Sequence, residues 1–285
     1  MGEDTLVSER PTDIEAVVFD LDGVIWHEYE AIVGAADAVA FARELGLGVA
    51  FLTNTSSRSE QYLARQLRAA GIWVKRDRVY TSGRIAAQYL ADRYRGTDVV
   101  AVVHGARNVF LKQVETAGMR AVALEDLTSD VAGVGDDSQL VVAIGYSRRF
   151  SYDDVATLLT LAPKVTEFYA PERDRWFGAA AGPKPGAGWI VAAAEEVLAQ
   201  PATVLGKPNP ECLRIVAADL GVDVSRVLMV GDSVASDIAA ARAAGAVSCL
   251  FAPGTAVQAA DQDNRADHVI SHLDQIRTIL LEGTP

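Results

Sequence analysis

Long apolar runs are missing from this chain: no stretch approaches the roughly 18 residues of a membrane span. Its first residues, MGEDTLVSERPTD, are acidic where a secretory leader needs a basic start and an apolar stretch. Cysteine is scarce. Cys212 and Cys249 show no CxxC spacing and fall in apolar patterns, which predicts buried reduced thiols rather than a disulfide or a metal site. Together these absences predict a cytoplasmic protein with no membrane partner. Positive charge is also in deficit. With 26 Lys and Arg against 38 Asp and Glu the net charge is -12, which repels phosphate backbones and anionic lipid and excludes nucleic acid as a default partner. Lysine occurs only at positions 75, 112, 164, 184 and 207, so a lysine beside a motif calls for a reason.

What is present is the composition of a globular protein: 285 residues, half of them hydrophobic and 22% charged, a length that predicts two domains with a sizeable core. Short β-branched runs (AVVFDL ending at Leu21, GVAFLTN from Gly48, VVAVVHG from Val99, QLVVAIG from Gln139, RVLMVGD from Arg226) alternate with amphipathic stretches. The latter include Ser59 to Ala70, Ile85 to Arg95, Tyr152 to Leu161, Gly188 to Ala199 and Pro210 to Leu220. This alternation predicts an α/β fold with parallel sheets covered by helices on both faces. Gly and Pro cluster from Gly178 to Gly188 and at Pro253-Gly254, and the first cluster reads as a domain boundary. It is not a Walker loop, because Lys184 stands between two prolines instead of preceding Ser or Thr.

Four segments carry chemistry. Asp20-Leu21-Asp22-Gly23 follows an apolar run, where a strand end opens into the ligand crevice of an α/β sheet, and Gly23 permits a sharp turn. A solvated loop or helix cap is the alternative for this DxD. Thr53-Asn54-Thr55-Ser56-Ser57, at another strand end, offers hydroxyls, an amide and helix N-terminal N–H groups to an anion, or simple N-caps to the next helix. Gly206-Lys207-Pro208-Asn209-Pro210 brings a compact ammonium suited to a phosphate dianion, or a surface lysine in a turn. Gly231-Asp232-Ser233, followed by Asp237, is a second acidic strand end. Asp20 and Asp232 brought together would suit a hard divalent cation such as Mg2+. His268 and His272 have ligand-like spacing but straddle a strand end and a helix start, which argues against a metal role.

The ordered set DLDGV, LTN, GKPNP and GDS with Asp237 resembles the four motifs of the haloacid dehalogenase superfamily. The long gap between Thr53 and Lys207 is similar to that of the subclass IIA enzymes of the NagD and p-nitrophenylphosphatase kind, which carry an α/β cap of the C2 type. Ile32-Val33-Gly34-Ala35, Thr81-Ser82, Gly145 to Tyr152 and Pro185-Gly186-Ala187-Gly188 match their text as well. The resemblance implies a Rossmann-like core from residues 1–82 and 183–285 with a cap over 83–182. It implies a Mg2+-dependent phosphatase of small phosphorylated metabolites (a sugar phosphate, glycerol phosphate, nucleotide or pyridoxal phosphate class), with no nucleic acid or membrane partner and with the cap as a candidate homodimer contact. Asp20 is then the nucleophile and Asp22 the general acid and base. Lys207, Gly23, Thr53, Asn54 and Asn209 hold the phosphate, and Asp20, the backbone carbonyl of Asp22 and Asp232 hold the metal, with Asp237 supporting them. In the cap, Arg173, Arg175 and Trp176 are candidates for the substrate's other end, against the alternative of a surface loop.

Three phrases depart from the subgroup. Asn54-Thr55 replaces Asn-Asn, Tyr169-Ala170-Pro171-Glu172 stands for Thr-Asn-x-Asp, and Gly145-Tyr146-Ser147-Arg148 stands for Gly-Leu-Asp-Arg. The last two bear on substrate choice, since the cap closes over the leaving group. A phosphotransferase or mutase on the same core, and a weakly active phosphometabolite-binding protein, are the alternatives. A transferase using DxD to hold a sugar nucleotide would leave Lys207 and Asp232 unexplained.

Overall fold

The computed structural model describes residues 13–106, 109–127, 139–178, 182–253 and 266–282. The acidic N-terminal residues up to 12, part of the first Gly/Pro cluster and Gly254 of the second lie outside the described residues.

The apolar runs become parallel strands buried on both sides. In chain order the first part holds β1 (Ala16–Phe19), the hairpin strands β2 (Trp26–His27) and β3 (Glu30–Ala31), α1 (Ala35–Glu44), β4 (Gly48–Thr53), α2 (Glu60–Ala69) and β5 (Val79–Thr81). Then come α3 (Ser82–Arg93), β6 (Val99–His104), α4 (Phe110–Thr116), β7 (Arg120–Ala123), β8 (Gln139–Ile144), α5 (Tyr152–Leu161) and β9 (Val165–Ala170). A hairpin of β10 (Trp176–Phe177) and β11 (Lys184–Pro185) leads to α6 (Gly188–Leu198) and β12 (Thr203–Val204). The last part is α7 (Glu211–Leu220), β13 (Val227–Gly231), α8 (Ala239–Ala244), β14 (Val247–Phe251), β15 (His268–Ile270) and α9 (Ile276–Glu282).

Two sheets result. The larger runs β15-β14-β13-β1-β4-β5 and the smaller β12-β9-β8-β6-β7, and every pairing within them is parallel. Local chemistry agrees with the element ends. Ser59 caps α2 by accepting from the Tyr62 N–H, and Ser151 and Asp154 close a reciprocal capping box on α5. On the larger sheet one face packs Val17, Phe19 and Phe51 against Val39, Leu67 and Ile276, while the other packs Val18, Ala50 and Met229 against Leu213, Val216 and Ala241. Each such aliphatic or aromatic burial contributes about 1.5–3 kcal/mol, so the site's frame rests on a two-sided core. Cys212 and Cys249 are buried free thiols.

The return to the larger sheet comes later than the expected residue 183. Ile190, Val191, Ala194 and Leu198 of α6 pack with Val100, Val142 and Phe168, and β12 pairs with β9, so both elements belong to the smaller sheet. The chain leaves that sheet at Leu205–Gly206. The Gly/Pro cluster is associated with the β10–β11 hairpin instead of a boundary, because Pro185 and Lys184 pair with Trp176 and Phe177.

Candidate active site

Three adjacent strands, β13, β1 and β4, end together at one edge of the larger sheet. Phe19 is in register with Val230 on one side and Phe51 on the other, and the Asp20 N–H donates to the Val230 carbonyl at 2.8 Å. Asp20, Thr53 and Asp232 therefore leave the sheet side by side, at the carboxyl edge where α/β folds bind ligands.

Lys207 closes the group from the other crossing. Its ammonium lies 2.6 Å from Asp20 Oδ1, 2.6 Å from Asp237 Oδ1 and 3.3 Å from the Leu52 carbonyl, which uses all three of its donors. Lys207 is 4% exposed and Asp20 6%. Two carboxylates hold the Lys207 charge firmly in place, raising its pKa despite burial. Burial pushes the Asp20 carboxyl upward against the pull of Lys207, helped by the nearby Asp237 and Asp232. Burial, reinforced by Asp237, likewise lifts Asp232 to about 6.

Asp237 sits on a π-helical turn, Val234–Ile238, that runs into α8, and its Oδ2 accepts from the Ser233 N–H at 3.0 Å. Both its oxygens are thus engaged. Gly231 is required here: a Cβ at that position would fall 2.1 Å from the Asp237 Cβ. Gly23 has φ +93°, and its Cβ would fall 2.0 Å from Asp232 Oδ2, so this turn brings backbone against the acid cluster as only glycine can. Asp22 reaches the open side of the cleft, where the Trp26 indole N–H donates to its Oδ1 at 2.9 Å. The crowding around Asp22 pushes its carboxyl up, against the effect of that bond.

Not every expected residue takes its expected place. Thr53 is buried at the strand end, with no side-chain hydrogen bond among the described residues, and so stays available. The Asn54 amide instead clamps the Lys207 backbone, accepting from its N–H at 3.0 Å and donating to its carbonyl at 2.9 Å. Asn209 is likewise committed, donating to the Val204 carbonyl at 2.6 Å and accepting from the Glu211 N–H at 2.9 Å. Both side chains thus bond the backbone, a structural use that competes with the expected phosphate contact. Arg173 pairs with Glu195 of α6, its Nη2 2.6 Å from Oε2, which commits its terminal nitrogens to that helix. Arg175 is exposed, and Trp176 is 62% exposed on the β10 hairpin, neither being drawn into the acid cluster.

Two further acids complete the surroundings: Asp174, missed in the sequence, and Glu172, which the sequence marked only as the end of a phrase departing from the subgroup. Asp174 Oδ2 accepts from Asn54 Nδ2 at 3.3 Å, and Glu172 is buried against Ser56 and Ser82. The signal for a structural part in Glu172 was position: it follows the end of β9 much as Asp20 follows the end of β1.

Comparison with known proteins agrees with this geometry. The family model described as haloacid dehalogenase-like hydrolase matches residues 17–120, and a second, HAD-hydrolase-like, matches 204–276. Chronophin of Rattus norvegicus is 30% identical over 244 residues, covering 84% of this chain and 77% of that protein. Sugar-phosphatase AraL of Bacillus subtilis is 25% identical over 276 residues, covering 96% of each. The solved structure of a p-nitrophenyl phosphatase from Archaeoglobus fulgidus superposes with a TM-score of 0.78 at 25% identity, over 93% of this chain and 99% of that one. With its four strand-end motifs meeting around Asp20 and a second parallel sheet inserted between them, the chain belongs to the haloacid dehalogenase-like hydrolases.

Proposed function

We propose that the protein is a Mg2+-dependent phosphatase that transfers the phosphoryl group of a small phosphorylated metabolite to Asp20 and then to water. The observation that carries this reading is the buried Asp20 carboxylate, held at 2.6 Å by Lys207 and clustered with Asp232 and Asp237.

A divalent cation fits the donor set. Ligand oxygens of Asp20, Asp232 and Asp237 lie within 4.8 Å of one another, all hard carboxylate donors. Three carboxylates against the single Lys207 ammonium leave two formal negative charges, which a dication balances. Asp20, Asp232 and the Asp22 carbonyl would hold it, while Asp237 is occupied with Lys207 and Ser233. When bound, the ion supplies neutralisation of the phosphoryl oxygens and alignment for in-line attack.

The chain's own groups do the rest. Asp20 Oδ2 attacks phosphorus, and the bond to the ester oxygen breaks. Asp22, whose carboxyl is pushed toward the acid form, gives that oxygen its proton, and the carboxylate left behind takes a proton from the water that later cleaves the aspartyl-phosphate. Lys207 holds Asp20 Oδ1 throughout, leaving the other oxygen to react, and the Thr53 hydroxyl is available to the phosphoryl oxygens. The names of AraL and of the p-nitrophenyl phosphatase support a sugar phosphate or similarly small ester as substrate.

The test is phosphate release from a panel of sugar phosphates, glycerol phosphate, pyridoxal phosphate and nucleoside monophosphates with water as sole acceptor. Release in Mg2+ that chelation reduces to background is expected; no release from any ester would overturn the reading. Gly23→Ala serves as a local check. Its methyl displaces Asp232 and adds about 1 kcal/mol of backbone strain, so Mg2+ affinity by calorimetry should fall at least about tenfold with the fold retained.

A further inference from the structure

One buried carboxylate takes no part in the chemistry above. Glu172 is 3% exposed, and its Oε1 accepts from the Ser56 hydroxyl at 2.6 Å and the Tyr146 N–H at 3.1 Å, while Oε2 accepts from the Ser82 hydroxyl at 2.6 Å. The Tyr146 N–H also reaches Ser56 Oγ at 3.0 Å, so four residues share one knot. Their origins differ. Ser56 lies in the loop after β4 and Ser82 opens α3 at the outgoing crossing, whereas Tyr146 follows β8 and Glu172 follows β9 in the smaller sheet.

The packing leaves little slack. A Cβ on Gly145 would fall 2.4 Å from Ser56 Oγ, and one on Gly83 would fall 3.2 Å from the Ser56 Cα, so Ser56 is wedged between the first turn of α3 and the end of β8. The side-chain and backbone groups bonded to Glu172 are all neutral donors. A buried carboxylate without a bonded cation is costly unless its donors converge, so this knot is complete only when the smaller sheet sits in one place on the larger. Two residues further on, Asp174 bonds Asn54, which in turn clamps the Lys207 backbone.

We infer that Glu172 is a positioning residue: by joining Ser56, Ser82 and the Tyr146 N–H it sets the register of the cap on the loop that carries Thr53 and Asn54, without touching substrate. The kinetic readout rests on the phosphatase reading; a scattering readout does not.

The experiment compares wild type with E172A, E172Q, S56A and E172A/S56A, using p-nitrophenyl phosphate in Mg2+. Misplacing the loop should cost E172A about 10²-fold in kcat with KM within about threefold. E172Q should recover to within about threefold of wild type, since its amide oxygen keeps the Ser56 and Tyr146 bonds and the Ser82 hydroxyl can turn to accept. S56A should lose at least about tenfold in kcat, and the double variant should be no worse than E172A, because both act through one contact. Small-angle scattering should show a larger radius of gyration for E172A than for wild type. Unchanged kcat in E172A, a loss confined to KM, no recovery in E172Q, or losses that multiply in the double variant would each overturn the assignment. If E172A does not fold, wild-type kcat in S56A does the same. Absence of phosphate release by the wild type tells against the phosphatase reading alone; identical scattering of folded E172A and wild type then tells against Glu172.

Discussion

Asp20→Asn is expected to cut phosphate release by about 10⁴-fold or more while the melting temperature stays close to the parent value. The amide cannot form the acyl-phosphate bond, so the loss is chemical. The fold has no reason to follow. Lys207 keeps its 2.6 Å bond to Asp237 and its contact with the Leu52 carbonyl, and a cluster with excess negative charge loses one carboxylate. Phosphate-release rates and calorimetric melting, measured on the same preparation, check both halves. A variant that keeps more than about a tenth of the parent rate would remove Asp20 from the nucleophile's role.

Lys207→Met should fail in both respects. It deletes the cation lodged between Asp20 and Asp237, whose side chains are 9% and 1% exposed, and leaves two buried carboxylates facing each other. Removing one partner of a buried ion pair costs about 3–5 kcal/mol, so the denaturant midpoint should fall well below the parent's at an unchanged slope. Turnover should drop by at least about 10³-fold, as Asp20 loses the donor that orients it. The stability deficit should also depend on pH. Asp20 already titrates above its ordinary value through burial, and without Lys207 it does so more strongly. A folded-state pKa above the unfolded one favours folding at low pH and loses that benefit as pH rises through the folded value. The deficit should therefore be smallest in acid, where Asp20 carries a proton, and widest above its folded-state titration. A deficit that shrank as pH rose would contradict the charge pairing.

The frame of this site was legible because its strands are buried on both faces. Val227–Gly231 and Ala16–Phe19 read as unbroken apolar runs, and the acids that follow them could be placed at a sheet edge before any pairing was known. Tyr152–Leu161 was legible as an amphipathic stretch, and the structure adds a capping box of Ser151 and Asp154 at its start. The later crossing was not, because β12 consists of only Thr203 and Val204, too short for alternation to register, while the conspicuous Gly/Pro cluster marks a hairpin. Asn54 and Asn209 show a second limit. An amide beside a phosphate motif can serve the ligand or the backbone equally well, and only the partners at 2.6 to 3.0 Å decide for the backbone. Glu172 shows a third: in PERDRWFG it stands among scattered charges, and its burial follows from long-range packing against Ser56 and Ser82, residues 116 and 90 positions away.

The two crossings between the sheets meet. A Cβ on Gly206, where the chain comes back, would fall 3.1 Å from the Ser82 Cβ, where it leaves, and 2.7 Å from Asn54 Oδ1. Everything between them is therefore a cassette whose ends coincide, spliced into the larger sheet as one wide loop. Such an insertion imposes little on its host, because a segment with adjoining termini can change length or be exchanged without moving the strands outside it. For a hydrolase this separates two evolutionary clocks: the Asp20 edge can stay fixed while the inserted sheet drifts toward a new ester, provided that each replacement still seats itself against Ser56 and Ser82.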